Sequence, residues 1–393
     1  MDPGVRRRLL AAVAGLVLVA GGVVASLALV SRMGGGSAGS PPGKPTGANP
    51  TASFPILPGP RNVIDQTPGG QRFPGGLVKL DAGDGGGWLV VYQRFVDGAA
   101  QVFAREGPDL LEPFGPETLV SSPSLGPAYD PGVVELEDGT VIVTWSNKGV
   151  VWYAKRLGPG RYGPVAQLFS DPGGTVFEQT LATIDGRPAV FYDYHPLDRR
   201  EFLWDPRTRT IGPGPSPGPP ATIATEGPGY GTEGVQKRVT AASTGRPGQE
   251  IAVWSQHAAV PCAIPSENPG AVQNCGPRPI FGAISEDSGR TWGPPFEIVS
   301  FSDHDLVNPF AILVAPDDLR IYFTVDRHIP EAAYVESTDH GRTWSGLRDV
   351  WLPRDLVPAR MVLQVDDRHR LIALLAARGF GELVTFLIDR LPA

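Results

Sequence analysis

The sequence runs to 393 residues with a formal net charge of −7, and only 19% of it is charged. An acidic balance of this kind argues against a nucleic-acid partner, which requires a basic face. Glycine (50 residues) and proline (42) are abundant, a mixture that excludes a body of long helices and suits short strands joined by tight turns.

The chain opens on a basic tip, residues 1–8, that ends in three arginines, Arg6–Arg8. An uninterrupted run of apolar or small residues follows from Leu9 to Val30. As a helix it would measure roughly 33 Å, enough to cross a bilayer. Secretory apolar regions are shorter, about 7–15 residues, so the span at 9–30 reads as an uncleaved signal anchor, with a cleaved signal peptide as the alternative. The preceding arginines hold that end in the cytoplasm and place the remainder outside. Residues 31–60 are rich in Gly, Ser and Pro with almost no charge and read as a flexible linker. The body, residues 61–393, is expected outside the cytoplasm, tethered to the membrane or secreted, and as a monomer.

Within the body one pattern recurs: an apolar run, a turn, and a second apolar run ending in polar residues. It appears as "PGGLVKLDAGDGGGWLVVYQR", "DPGVVELEDGTVIVTWSNK", "EQTLATIDGRPAVFYDYH", "KRVTAASTGRPGQEIAVWSQH", "NPFAILVAPDDLRIYFTVDR" and "ARMVLQVDDRHRLIALLAAR". Apolar runs that bracket Asp/Gly/Pro turns predict β-hairpins. A third run follows each hairpin: "AQVFARE", "GVVWYAKR", "EFLWDP", "IFGAISED", "AAYVESTD" and "LVTFLIDR". Fourth runs such as "PETLVSS", "PVAQLFS", "PFEIVSF" and "LRDVWLP" complete most units. Six four-stranded units of about fifty residues predict an all-β, six-bladed β-propeller; a sandwich does not explain the repeated order. The last unit lacks its fourth strand, and "RNVID", Arg61–Asp65, is the expected donor that closes the ring.

The fourth and fifth units carry "SEDSGRTWG" and "STDHGRTWS" between their third and fourth runs. Two copies of one motif suit a repeated turn rather than an active site. Ser285 and Ser337 open the motifs; Asp287 and Asp339 are expected to accept backbone N–H bonds. Gly289 and Gly341 allow a positive φ. Thr291 and Thr343 precede Trp292 and Trp344, which are expected to pack between neighbouring sheets. Cys262 and Cys275 flank a Pro/Gly/Asn loop, and in an exported protein such a pair is expected to form a disulfide. Two thiols without a nearby His make a poor zinc site. Asp303, His304 and Asp305 are adjacent and read as a solvated loop, so no metal and no cofactor are expected.

Ser-x-Asp-x-Gly-x-Thr-Trp is the Asp-box (BNR repeat), and on that motif residues 61–393 resemble the sialidase-like propeller superfamily. That superfamily contains sialidases, other glycoside hydrolases, and non-catalytic propellers that bind glycans or proteins. A sialidase begins its first blade with Arg-Ile-Pro; here "QRFPGGLV" supplies Arg72-Phe73-Pro74. The resemblance implies that Arg72 grips a substrate carboxylate, a planar anion suited to a guanidinium fork. It implies a general acid at Asp97 in "VVYQRFVDG" and an assisting carboxylate at Glu233 in "GYGTEGVQKRV". The match then fails. Ser255 and Gln256 stand where the second Arg belongs, "DHDLVNPFAIL" supplies no third Arg, and "VPARMVL" has Arg360 where the nucleophilic Tyr belongs. Arg238 and Arg360, near the starts of inner strands, are expected to converge with Arg72 and replace part of the lost charge.

Three functions follow from this reading. The first is a propeller that binds a glycan or small acidic ligand in its central cleft without standard sialidase chemistry. The second is a glycoside hydrolase that uses Asp97 and Glu233. The third is a protein-interaction scaffold that uses the rim loops. Tyr92, Trp145, Tyr192 and Trp254, near the ends of second strands, read mainly as core, with some as sugar-stacking platforms in the cleft.

Overall fold

The computed structural model describes residues 60–391 apart from 69, 82–85, 185, 198–204, 225–236, 257–277, 302–303, 327–329 and 378. The predicted signal anchor at 9–30, both cysteines and Glu233 lie outside these residues. Among the described residues no helix is long and apolar enough to cross a membrane. The chain divides into two units, Met1–Pro55 and Ile56–Ala393, and the second holds the fold.

Six antiparallel sheets form the blades of a β-propeller. Blade 1 runs outward through Arg72–Lys79, Trp88–Val96, Ala99–Gly107 and Thr118–Leu119. Blade 2 comprises Tyr129–Glu135, Val141–Asn147, Val150–Gly158 and Ala166–Ser170, and blade 3 Gly174–Ile184, Arg187–Pro196, Asp205–Gly212 and Ala221–Thr222. Blade 4 comprises Lys237–Ser243, Glu250–Ser255, Ile280–Ser285 and Phe296–Val299. Blade 5 comprises Asp305–Ala315, Asp318–Asp326, Glu331–Ser337 and Arg348–Val350. Blade 6 has Leu356–Val365, Arg370–Ala377 and Glu382–Arg390, and its outermost strand is Arg61–Asp65. Each inner strand lies beside the next in cyclic order, and blade 6 returns to blade 1.

One apolar cluster fills each of the six seams between blades. A second strand therefore has a neighbouring blade on both faces. For this reason "WLVVYQR" and "VIVTWSN" are buried at every position instead of at alternate ones. Tyr92, Trp145, Tyr192 and Trp254 are all buried to within 1% in these seams. They are core side chains, and none of the four is a stacking platform.

The closing strand pairs antiparallel with Glu382–Arg390, Arg61 opposite Phe386 and Asp65 opposite Leu383. Asp65 fastens it to blade 1. Its Oδ2 accepts a bond from Arg72 Nε at 2.5 Å, and Arg94 and Arg105 approach at 3.7 and 3.4 Å. Burial pushes the Asp65 pKa up, but bonds from the Thr67 hydroxyl and amide and from Arg72 outweigh it and hold the carboxyl below its usual range.

In blade 3 the third strand is Asp205–Gly212, so the expected run "EFLWDP" overlaps it only at Asp205 and Pro206. An apolar search passes over "DPRTRTIG" because the strand carries arginines on its packed face. Arg207 stacks 3.4 Å above the Tyr194 ring, Arg209 4.9 Å from that of Phe169, and both pair with Asp171. Paired and stacked guanidinium groups fill a place that apolar side chains take elsewhere.

Both Asp-boxes form the expected turn. Ser285 Oγ accepts the Gly289 N–H at 2.8 Å and donates to Asp287 Oδ1, while Asp287 accepts the amide and hydroxyl of Thr291. Ser337, Asp339, Gly341 and Thr343 repeat these bonds. Gly289 and Gly341 have φ of +75° and +84°, a region that favours glycine. Trp292 meets Phe191 of blade 3 edge-on at 6.3 Å, and Trp344 packs into the seam between blades 4 and 5. Each box thus ties its blade to the preceding one.

Candidate functional site

Strand direction separates two faces. The box turns share one face with the turns that join first to second strands. The loops joining second to third strands, and the connections between blades, occupy the other, the open face.

Every inner strand breaks register with its second strand near the open face. The shifts fall at Pro74/Gly76, Tyr129/Gly132, Phe177/Thr180, Lys237/Thr240, Val307/Phe310 and Val357/Val362. In blades 1–5 the inner strand gains one residue, a β-bulge, and in blade 6 it gains three; such a break re-aims a side chain. Two positions before the residue that restores register stand Pro74, Asp130, Glu178, Arg238, Asn308 and Arg360, one per blade. Four of the six, Asp130, Glu178, Arg238 and Asn308, have φ between 42° and 53°. A non-glycine residue in this region costs about 1 kcal/mol or more, and such strain clusters at functional sites.

The ring is charged. Arg360 Nη2 donates to Asp130 Oδ1 at 2.5 Å, with both side chains about 15% exposed. Asn308 donates to the Ala359 carbonyl, and Gln179 Nε2 donates to the Asp130 carbonyl at 2.7 Å. These bonds hold neighbouring bulges in place from blade to blade.

Arg238 is the exceptional member. It is 3% exposed, and its Nε and Nη1 are buried without a hydrogen-bond partner. Its backbone N–H donates to Asp193 Oδ2 at 3.1 Å, which anchors the strained residue. Burial, then the positive charge of Arg360, pulls its pKa well below the usual arginine value; Asp130 and Glu178 act in the opposite sense. Arg278, on which Glu178 also acts, is lowered by burial, opposed by Asp305, Asp326 and Glu178. Burial also raises the Asp326 carboxyl, with Asp305 adding to the shift.

The structure brings together two of the predicted site residues, Arg238 and Arg360. Arg72 is placed elsewhere: its three guanidinium nitrogens bond Asp65, Gly70 and Thr67, and it is 1% exposed. It stabilises the closing strand. Asp97 is exposed, with φ of 50° followed by 80° at Gly98. It forms the two-residue turn between Val96 and Ala99, a type I′ hairpin that Asp-Gly favours. Asp130, Glu178 and Asn308 were absent from the sequence reading. The signal available for them is positional, a polar residue at the same offset before the inner apolar run in five of the six blades.

The sequence matches no protein-family model and no curated protein. Solved structures resemble the fold. A protein of unknown function from Dyadobacter fermentans aligns at TM-score 0.61 and 13% identity, over 85% of this chain and 99% of its own. An α-L-arabinanase of Penicillium chrysogenum aligns at TM-score 0.58 and 14% identity, over 85% and 98%. A sialidase of Streptococcus pneumoniae aligns at TM-score 0.57 and 8% identity, over 84% and 70%. At these identities the likeness establishes the propeller fold and assigns no activity.

Proposed function

We propose that this is an exported, membrane-anchored propeller whose axial ring binds a glycan or other acidic ligand through Arg238. The observation that carries the reading is the buried Arg238 guanidinium with two unpartnered nitrogens beside a second arginine. An uncompensated buried cation is costly, and an anion that supplies acceptors relieves the cost. Asp130 occupies Arg360, which leaves Arg238 as the free hook. The fold shared with a sialidase and an arabinanase supports a saccharide as the ligand.

A second reading, glycoside hydrolysis, moves from Asp97 to the ring. Asp130 and Glu178 stand on adjacent inner strands, and both act on Arg238, so two carboxylates face one site. A glycan array run beside a panel of fluorogenic glycosides tests both readings on the full-length chain. Binding of acidic glycans that Arg238→Met abolishes is expected; binding that survives this substitution overturns the axial assignment. Turnover lost in Asp130→Asn and Glu178→Gln would make the protein an enzyme.

A further inference from the structure

Two seams carry the same latch. In each, an arginine from the third strand of one blade joins that blade's own tyrosine to a carboxylate at the end of the preceding blade's fourth strand. Between blades 2 and 3 the carboxylate is Asp171, which follows Ala166–Ser170. Arg209 bonds the Tyr192 hydroxyl, the Gly218 carbonyl and Asp171 at 3.3, 3.0 and 2.8 Å. Between blades 6 and 1, Arg105 repeats the set with the Tyr92 hydroxyl, the Gly115 carbonyl and Asp65, at 3.4, 3.2 and 3.4 Å. Each bond is longer than its counterpart, at or beyond the usual limit for an N–H donor.

The lengthening follows from competition for Asp65. Arg72 Nε takes it at 2.5 Å and Arg94 Nη1 stands 3.7 Å away, while Glu117 accepts from Arg94 Nη2 at 2.7 Å. Arg94 keeps Nε and Nη1 buried without a hydrogen-bond partner. Three guanidinium groups thus share two carboxylates, an excess of one positive charge, whereas Arg207 and Arg209 face two, Asp171 and Asp205. A cleft of about 520 Å³ opens beside the excess charge, lined by residues 63–68 and by Arg105. Two of its lining residues are charged. The Asp65 side chain is 0% exposed and that of Arg105 is 19% exposed, so the charge presented to the cleft is positive. Gln66 and Thr67 add polar groups to its wall.

We propose that this rim cleft binds a phosphate group in the fork of Arg105, and that the bound anion clasps the closing strand to blade 1. A tetrahedral oxyanion accepts two guanidinium N–H bonds at once and supplies the negative charge that the seam lacks. Arg105 gives up only long bonds in turning to it. The volume lies in the range of small-molecule pockets, so a phosphate ester fits as well as the free ion. A ligand held by the closed ring and not by the unfolded chain stabilises the closure by mass action. The cleft lies between the outermost strand of blade 6 and the third strand of blade 1, so the inference does not rest on the axial reading.

The test is calorimetric titration of the full-length chain with inorganic phosphate and with glycerol 3-phosphate at constant ionic strength. It is run in the parent and in Arg238→Met, which removes any axial anion binding from the signal. Phosphate is expected to bind Arg238→Met and to raise its melting temperature in proportion to the logarithm of concentration. Adding Arg105→Met should weaken binding about tenfold or more, while adding Arg209→Met, at the latch of balanced charge, should leave it unchanged. Arg105→Lys keeps the charge and loses the fork; it should weaken binding severalfold, and it carries the test if the methionine variant does not fold. Tighter binding of glycerol 3-phosphate would identify an ester as the ligand, and equal or weaker binding the free ion. The site is overturned if neither compound binds Arg238→Met, if a folded Arg105 variant binds like its parent, or if Arg209→Met loses binding equally.

Discussion

Arg360 and Asp130 are 230 positions apart in sequence and meet at 2.5 Å on the propeller axis. The contact spans from blade 6 to blade 2 and passes blade 1, which contributes Pro74 at that level of the ring. Arg360 would otherwise repel the neighbouring Arg238; pairing with Asp130 reduces that repulsion.

Arg238→Met should therefore stabilise the folded chain by about 1 kcal/mol or more while it removes anion binding, because an apolar side chain replaces an uncompensated buried cation. Urea unfolding in buffer free of multivalent anions measures this. A loss of stability would show that Arg238 braces the ring through Asp130 and Glu178.

Arg72→Met should cost about 3 kcal/mol or more, since it leaves Asp65 buried without its shortest partner. The same substitution should leave glycan binding unchanged in folded protein. A binding defect without a stability defect would return Arg72 to the ligand site.

Acid should loosen the closure. The Asp65 carboxyl is held below its usual value in the fold, so it contributes stability fully above its unfolded pKa, about 3.9. That contribution is lost as pH falls through the lower folded value. Asp65→Asn should flatten the dependence of unfolding free energy on pH below about 4. An unchanged slope would assign the acid sensitivity to other carboxylates. Asp109 is one, held low against burial by the Leu111 amide and Arg370.

Gly341→Ala should destabilise by about 1 kcal/mol through backbone strain alone. At φ +84° a side chain is disfavoured, yet the added Cβ would approach nothing closer than 3.6 Å. Ser337→Ala, which removes the acceptor for the Gly341 and Asp339 amides, should cost about 1–2 kcal/mol. Melting curves of the two variants separate strain from hydrogen bonding.

The architecture was legible because its signals are local and repeated. Box residues, hairpin turns and apolar second strands each occur several times, and the missing fourth strand identified Arg61–Asp65 as its replacement. The third strand of blade 3 was missed because Arg207 and Arg209 are polar in sequence and packed in space. The site was harder to read. Arg72 matched a motif, but its charge belongs to Asp65, and no local pattern announces a partner on a strand of another blade. Asp130, Glu178 and Asn308 become visible only when six inner strands are superposed at their bulges.

The closing strand also sets an order of assembly. Arg61 pairs with Phe386, so one of the first strands made waits for one of the last. Until Glu382–Arg390 is synthesised, blade 6 has no partner to offer, and the seam that joins it to blade 1 stays exposed. Pairing across such a sequence separation is intrinsically slow. For the exported chain proposed above, that step would follow translocation of nearly the whole body, which would make ring closure a late event on the far side of the membrane.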